Sequence, residues 1–171
     1  VKVLIGAFCS SATAAVMPVA EKYKMPLVTG VSSKPDLTEQ GNKYFFRAAE
    51  TEAILARAFA KIMAGDLNLK KVAYIGVNDD WGRGSVEEFS RDLSELGAEN
   101  VLTDYFDHGT TDYYTLLTRI RSAGPDGVFV AAETQDGSIL VKQAAELGLE
   151  SKIFGSGSWA TEDFMELSGD A

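Results

Sequence analysis

Short apolar runs alternate with amphipathic helical stretches from one end of this sequence to the other. Strands without polar–apolar alternation, joined by helices, predict an α/β fold with a parallel sheet covered by helices on both faces. In such a sheet, ligands bind beyond the carboxyl ends of the strands. The predicted strands are Val1–Phe8, Pro26–Thr29, Lys71–Val77, Asn100–Phe106, Gly127–Ala132 and Lys152–Phe154.

The segment 32–52 interrupts this alternation. It is polar and rich in turn residues, with one short apolar core at Tyr44–Phe46. Its length exceeds an ordinary helix–strand loop and fits a crossing between two lobes, with a boundary near Ala48–Thr51. We therefore divide the chain into a partial first lobe, 1–50, and a second lobe, 51–171. Two strands and one helix are too little for a core, so we expect poor packing in 1–50, which leaves self-association of the truncated chain open.

The composition excludes several classes of partner. The net charge is −9 with no block of basic residues, so nucleic acid and anionic membrane surfaces are not expected partners. No apolar run approaches the ~18–20 residues that a membrane span needs. The chain opens with Val1 inside a predicted strand, and we expect it to be a piece of a longer protein whose signal peptide lies outside it.

Hydroxyl residues Ser10 and Ser11 follow the first predicted strand, where an Ala-rich helical stretch begins. A helix start presents free N–H groups and positive potential, which suit a carboxylate or phosphate. The simpler interpretation is that Ser10 or Ser11 only caps the helix. Similar strand ends recur later in the chain and favour a binding role. Pro18 is expected to end or kink this helix.

Cysteine and histidine, two residue types common in catalytic and metal sites, each occur once in this sequence. Cys9 is the lone cysteine, which excludes an internal disulfide, and we expect it to be small and buried, with a partner outside the chain as the alternative. His108, the lone histidine, lies in a polar turn that connects a strand to a helix. Ser10 lacks the Gly-x-Ser-x-Gly surroundings of a hydrolase nucleophile. We therefore expect no metal and no enzyme.

The join after the third strand carries glycines and acids that invite other interpretations. Gly82-x-Gly84 lacks the third glycine of a dinucleotide fingerprint, because Glu87 takes its place. Asp79-Asp80 is interpreted as a solvated turn and helix cap rather than a cation site. A flavodoxin-like or phosphoryl-accepting enzyme would need a cofactor loop or an acid–lysine constellation that the sequence does not offer, so no cofactor is expected.

Two side chains at strand ends are candidates for ligand contact. Trp81 places a large aromatic at a strand–helix junction, where ligands lie in this class of fold, although simple packing is an equal alternative. Glu133 follows a buried strand and points to the same edge as Ser10 and Trp81. Its carboxylate suits a ligand ammonium group, and a plain surface acid is the alternative.

Several segments, in this order and spacing, resemble the periplasmic binding proteins of the leucine/isoleucine/valine type, the solute receptors of branched-chain amino acid ABC importers. In that family two α/β lobes close on an amino acid. The segments are the turn at 8–11, MPLVTGVSSKPDLTEQG at 25–41, FFR at 45–47, KKVAYIGVNDDWGRG at 70–84, the helix 114–121 before Pro125-Asp126, and IFGSGSW at 153–159.

The resemblance assigns roles in the first lobe. Ser10 and the amides around it, including that of Ser11, would hold a ligand carboxylate. The backbone near Val31 and the hydroxyl of Ser33 would complete the first-lobe contacts with the carboxylate and ammonium. Cys9 matches a cysteine that, in the leucine-type proteins, pairs with one upstream of this fragment.

The second-lobe positions depart from the family pattern. Trp81 stands where the family usually has a tyrosine that covers the ligand. Glu133 stands where the leucine-type proteins carry another tyrosine, and Gly157 where they carry a glutamate for the ammonium. Compared with the leucine-type proteins, this chain thus has its acid at the strand end of Glu133 and not at the neighbouring strand end of Gly157.

The resemblance implies a periplasmic or extracytoplasmic, non-enzymatic protein that binds a small amino acid or related carboxylate and is recognised by a membrane ABC permease. The alternative is the ligand-sensing core of a receptor or transcriptional regulator with the same fold. The upstream sequence discriminates the two: a signal peptide indicates the importer receptor and a helix-turn-helix indicates the transcriptional regulator.

Overall fold

Two parallel sheets organise the chain in the computed structural model, which describes residues 1–169. The last two residues of the predicted second lobe, 170–171, lie outside the described residues. The first sheet has the strand order β1-β2-β3 and consists of β1 (Leu4–Ile5), β2 (Leu27–Thr29) and β3 (Phe45–Arg47). The second has the order β5-β4-β6-β7 and consists of β4 (Lys71–Val77), β5 (Glu99–Phe106), β6 (Gly127–Ala131) and β7 (Lys152–Gly155).

Helices connect these strands, as the alternating pattern predicts for an α/β fold. They are α1 (Ser10–Lys22), α2 (Glu52–Lys61), α3 (Asp80–Glu95), α4 (Tyr114–Ala123), α5 (Thr134–Glu146) and α6 (Glu162–Ser168). Shorter turns are 3-10 helices at Pro35–Thr38 and Gly157–Trp159 and a π-helical turn at Ile62–Asp66. No helix among residues 1–169 has the length and apolarity to cross a membrane.

Helices cover both faces of the second sheet. Tyr74 of β4 packs with Phe89 of α3 on one face, and Ile75 packs with Leu117 of α4 on the other. Neighbouring residues of a strand point to opposite faces, so a strand covered on both sides is apolar throughout. All residues of β4 after Lys71 are buried. This explains why β4 lacks alternation in the sequence.

The strand order creates a crevice between β4 and β6. The chain leaves β4 toward β5 on one side and leaves β6 toward β7 on the other, so the loops that follow β4 and β6 diverge. Ligands of open parallel sheets bind at such a switch point. Trp81 follows β4 and Glu133 follows β6, so both lie at this crevice.

Gly82 has a packing role. A Cβ on Gly82 would lie 2.1 Å from the carbonyl oxygen of Val77, so only glycine lets α3 approach the end of β4 this closely. A Cβ on Gly76 would in turn lie 2.9 Å from the carbonyl oxygen of Gly82. Gly76 and Gly82 therefore serve the contact between helix and strand.

The first lobe departs from the sequence prediction in its strands. The strand predicted over Val1–Phe8 is limited to β1, because Gly6 has a φ of +120° and leaves the extended conformation. Tyr44–Phe46, treated above only as an apolar core, instead lies at a third strand, β3, which pairs with β2. Ile5 and Phe46 remain 86% and 53% exposed.

Pro18 neither ends α1 nor interrupts it, and this prediction of a helix end was wrong. The helix continues to Lys22, with Pro18 on its exposed side. On the opposite, buried face of α1, Met17 and Ala20 pack against Leu27. This packing holds the helix although Pro18 has no backbone N–H to donate.

The crossing between the sheets occupies residues 48–51, between the end of β3 and the start of α2. The guanidinium group of Arg47 donates to the carbonyl oxygens of Lys34, at 2.6 Å, and Ser32, at 3.3 Å. It therefore ties the end of β3 to the loop that follows β2. We retain 1–50 and 51–171 as the proposed lobes.

Candidate functional site

A cavity of ≈ 320 Å³ lies where the carboxyl ends of strands from both sheets face each other. This volume is within the range of small-molecule sites. Six of the seven predicted ligand-binding residues contribute to its lining, whereas Ser11 does not. Those six are Ser10, Val31, Ser33, Trp81, Glu133 and Gly157.

A buried hydroxyl network shapes the first-lobe wall. The Oγ1 atom of Thr13 and the Oγ atom of Ser32 are 2.6 Å apart. The Ser32 Oγ atom also lies 3.1 Å from the carbonyl oxygen of Ala7, and Thr29 Oγ1 accepts the N–H groups of Val31 and Ser32. These contacts fix the turns after β1 and β2, which carry the first-lobe lining residues.

The start of α1 differs from the capping interpretation. Cys9 occupies the N-cap position without a side-chain cap bond. The Ser10 Oγ atom instead accepts the backbone N–H of Lys34, at 3.3 Å. Ser10 keeps its own hydroxyl hydrogen to donate, and the first-turn N–H groups of α1 have no acceptor within the helix. This end of the cavity therefore presents donors, which suit a carboxylate.

Cys9 is exposed at the cavity, so the expectation of a buried cysteine was wrong. Its position at the N-cap of α1 directs it to the mouth of the cleft. Partial burial raises the pKa of the Cys9 thiol, and the nearby carboxylates of Glu133 and Asp79 raise it further. The acids of the second lobe thus lie close to the helix start of the first.

Helix starts also define the second-lobe wall. Asp79 caps α3, because its carboxylate accepts the N–H of Gly82 at 2.8 Å. Glu133 occupies the N-cap position of α5 but makes no side-chain cap bond. Its carboxylate, in the lining and half-buried, is therefore available to a positively charged ligand group.

The loop after β7 completes this wall. The indole N–H of Trp159 donates to the carbonyl oxygen of Ala132 at 2.8 Å, and the Ser158 hydroxyl donates to the same oxygen at 2.9 Å. These bonds hold the turn at Gly157 against the end of β6. Gly157 offers backbone groups only, so this position provides no carboxylate.

Glu52 is a lining residue that the sequence analysis missed. It begins α2 and is buried, and its Oε1 atom accepts the Ser33 hydroxyl at 2.7 Å and the Trp81 indole N–H at 3.0 Å. In the sequence it looks like an ordinary acidic residue in the first turn of a helix. No local pattern distinguishes it, because its partners are distant in the chain.

The cavity carries a negative charge excess. Four acids line it, and none of its described lining residues is a Lys, Arg or His. Donors at one end and the unbonded carboxylate of Glu133 at the other suit a zwitterion. The four acids are Glu50, Glu52, Asp79 and Glu133.

His108 lies behind this wall. Its Nε2 atom is 3.1 Å from Oδ2 of Asp79, and its Nδ1 atom is 3.8 Å from Oδ2 of Asp136. It therefore braces the acid that caps α3 rather than facing the cavity. Within residues 1–169, no group of three or more potential metal ligands comes together.

Two parallel sheets whose strand ends share one cavity match the type I periplasmic-binding fold. The chain belongs to the periplasmic binding protein family, whose model, described as "Periplasmic binding protein", matches residues 1–171.

Known relatives and solved structures agree with this family. An amino acid binding protein of Pseudomonas aeruginosa is 27% identical over 97% of this chain and 44% of its own length. A leucine binding protein from Thermotoga maritima has a TM-score of 0.91 and 25% identity over 99% of this chain and 48% of its own. A solute binding protein of an ABC transporter from Rhodopseudomonas palustris, in complex with 3,4-dihydroxybenzoic acid, has a TM-score of 0.86 and 26% identity over 99% of this chain and 47% of its own. The chain thus spans about half the length of these relatives.

Proposed function

We propose that this chain is part of a solute-binding protein of a branched-chain-type amino acid ABC importer, which holds a small amino acid or related carboxylate between its lobes. The observation that carries the proposal is the shared cavity, which Ser10 and Ser33 line from the first lobe and Trp81 and Glu133 from the second. The whole protein would work outside the cytoplasm and deliver its ligand to a membrane permease.

The geometry supports one orientation of the ligand in the cavity, with its carboxylate at the start of α1 and its ammonium group near Glu133. The ligand carboxylate would take the hydrogen of the Ser10 hydroxyl and the first-turn N–H groups of α1, including that of Ser11. The Ser33 hydroxyl donates to Glu52, so its oxygen offers only lone pairs to the cavity and would accept from an ammonium group. Glu133 would neutralise that ammonium charge, and the backbone at Val31 and Gly157 would complete the enclosure.

This arrangement favours amino acids over aromatic acids. The described lining has four acids and no basic side chain, so a ligand whose ammonium group balances its carboxylate is favoured over one that carries a carboxylate alone. The solved neighbours include a leucine binding protein and a solute binding protein in complex with 3,4-dihydroxybenzoic acid, so this fold serves both ligand classes. The charge of the lining is what favours the zwitterion here.

Isothermal titration of the full-length protein tests the proposal, with a panel of amino acids and small aromatic and aliphatic carboxylates. Replacing a charged hydrogen-bond partner in Glu133→Ala should weaken the best ligand at least about ten-fold. Trp81→Ala should also weaken it, through the lost contact area. If neither variant changes the affinity of a ligand that the protein does bind, these residues do not form its site.

A further inference from the structure

Glu52 is placed at the point where the chain enters the second lobe. It is the first residue of α2, directly after the crossing segment, and its side chain is 6% exposed. A carboxylate this deeply buried is costly unless hydrogen bonds satisfy it. Its partners therefore reveal what it is placed to hold.

Those partners come from opposite lobes. One oxygen, Oε1, accepts from the Ser33 hydroxyl of the first lobe and from the Trp81 indole of the second. The backbone N–H of Glu52 also donates to the carbonyl oxygen of Ser33, at 2.9 Å. Glu52 thus bonds twice to the loop after β2 and once to the start of α3.

The Trp81 indole and the Ser33 hydroxyl each have a single hydrogen to donate. An indole has one polar atom, so a bond to its N–H sets the direction in which the ring plane extends. A serine hydroxyl has one hydrogen, so donation to Glu52 leaves only acceptor capacity on the Ser33 oxygen.

We infer that Glu52 is a positioning residue for ligand capture, which orients the Trp81 ring at one wall of the cavity and sets the Ser33 oxygen as an acceptor at the other. The inference rests on the proposed function above. Because one carboxylate oxygen serves both lobes, its bonds form together only when Ser33 and Trp81 are close. The residue therefore couples the position of the aromatic wall to that of the first-lobe hydroxyl.

The test uses the full-length protein labelled with 5-fluorotryptophan, in which Trp81→Phe identifies the fluorine resonance of Trp81. In Glu52→Ala the Trp81 resonance should shift or broaden, whereas the Trp159 resonance should stay. Glu52→Gln keeps an oxygen that can accept both hydrogen bonds and should restore the Trp81 resonance. Titration of the best ligand should show an affinity loss of about ten-fold for Glu52→Ala and under about three-fold for Glu52→Gln.

A matched control separates positioning from stability. Glu88 is another buried acid on a helix, but it pairs with Arg91 and does not line the cavity. Glu88→Ala should lower the unfolding midpoint without moving the Trp81 resonance or the ligand affinity. A Glu52→Ala variant that behaves like Glu88→Ala would overturn the inference.

Two further outcomes are decisive. Equal losses in Glu52→Ala and Glu52→Gln would show that the charge of Glu52 matters rather than its hydrogen bonds, which also overturns the inference. If the unmodified protein binds nothing in the panel, the proposed function fails. In that case the Trp81 resonance of the Glu52 variants still decides whether Glu52 positions the indole.

Discussion

The Lys34 ammonium group lies 3.1 Å from Oδ1 of Asp80, and this ion pair joins the loop after β2 to the start of α3. Burial alone would lower the pKa of Lys34, but its hydrogen bonds to Asp80 and Asp36 outweigh that effect and raise it. The backbone N–H of Lys34 also donates to Ser10 in the cavity wall. One residue therefore contacts the candidate site and the opposite lobe.

Asp80→Asn should weaken the affinity for the best ligand about two- to three-fold, since an exposed ion pair contributes roughly 0.5 kcal/mol. The loss follows because the pair stabilises the arrangement in which both walls face each other. Calorimetric titration at low salt and at high salt checks this, and the difference from the unmodified protein should shrink as salt screens the pair.

Asp36→Asn is the matched control. Asp36 contacts the same ammonium group, at 3.3 Å, but belongs to the first lobe. Its loss leaves the contact between the lobes in place and should change the affinity less than Asp80→Asn does. Equal effects of the two variants would contradict a lobe-joining role for the pair.

Two glycines at the start of α3 should respond oppositely to alanine. A methyl group on Gly82 meets the backbone of Val77, which cannot give way, so Gly82→Ala should destabilise the fold by about 2 kcal/mol or more. A methyl group on Gly84 would lie 3.4 Å from the flexible side chain of Lys34. Gly84→Ala should therefore be neutral or stabilising by up to about 1 kcal/mol. Urea unfolding of both variants measures the contrast, and similar losses in the two would refute the packing explanation.

Asp126 should contribute an acid-sensitive part of the stability. Its Oδ2 atom accepts the backbone N–H groups of Lys70 and Lys71, both at 2.9 Å, and these bonds lower the pKa of Asp126. A lowered pKa in the folded state gives stability that is present above the unfolded-state pKa and is lost as the pH falls through the folded-state value. Because Asp126 is exposed, we expect less than about 1 kcal/mol.

Asp126→Asn keeps an acceptor for both N–H groups but removes the titration. Urea unfolding at pH 5 and below pH 3 should show a smaller acid loss for this variant than for the unmodified chain. Glu87→Gln, which changes an exposed acid whose side chain bonds to none of the described residues, is the control and should leave the acid loss unchanged. An acid loss in Asp126→Asn equal to that of the unmodified chain would contradict the prediction.

The fold could be predicted from the sequence where strands are covered on both faces. Lys71–Val77 was predicted to the residue, because a fully buried strand is apolar throughout and glycine and polar residues mark its ends. The first lobe was harder. Phe45–Arg47 is a strand only through its pairing with Leu27–Thr29, and no local pattern shows that pairing.

The candidate site likewise contains residues that the sequence could locate and one that it could not. Strand-end residues such as Ser10 and Glu133 can be located from the order of elements, because a parallel sheet brings its strand ends to one edge. Glu52 could not, since its importance comes from contacts with Ser33 and Trp81 across the cleft. Burial of Cys9 was predicted from residue type, and its position at a helix start overrides that tendency.

Cys9 offers a chemical measure of the negative potential in the cleft. Burial raises the pKa of its thiol first, and Glu133 and Asp79 raise it further. The thiolate is the reactive form, so alkylation of the reduced protein by iodoacetamide at pH 8 should be several-fold slower than that of a model cysteine peptide.

Glu133→Gln removes one of the two charges near the Cys9 thiol and should shift the pH profile of the alkylation rate to lower pH. Glu146→Gln changes an acid outside the cavity lining and should leave the profile where it is. A profile that Glu133→Gln does not move would show that this carboxylate does not face the start of α1, and would remove it from the proposed ammonium site.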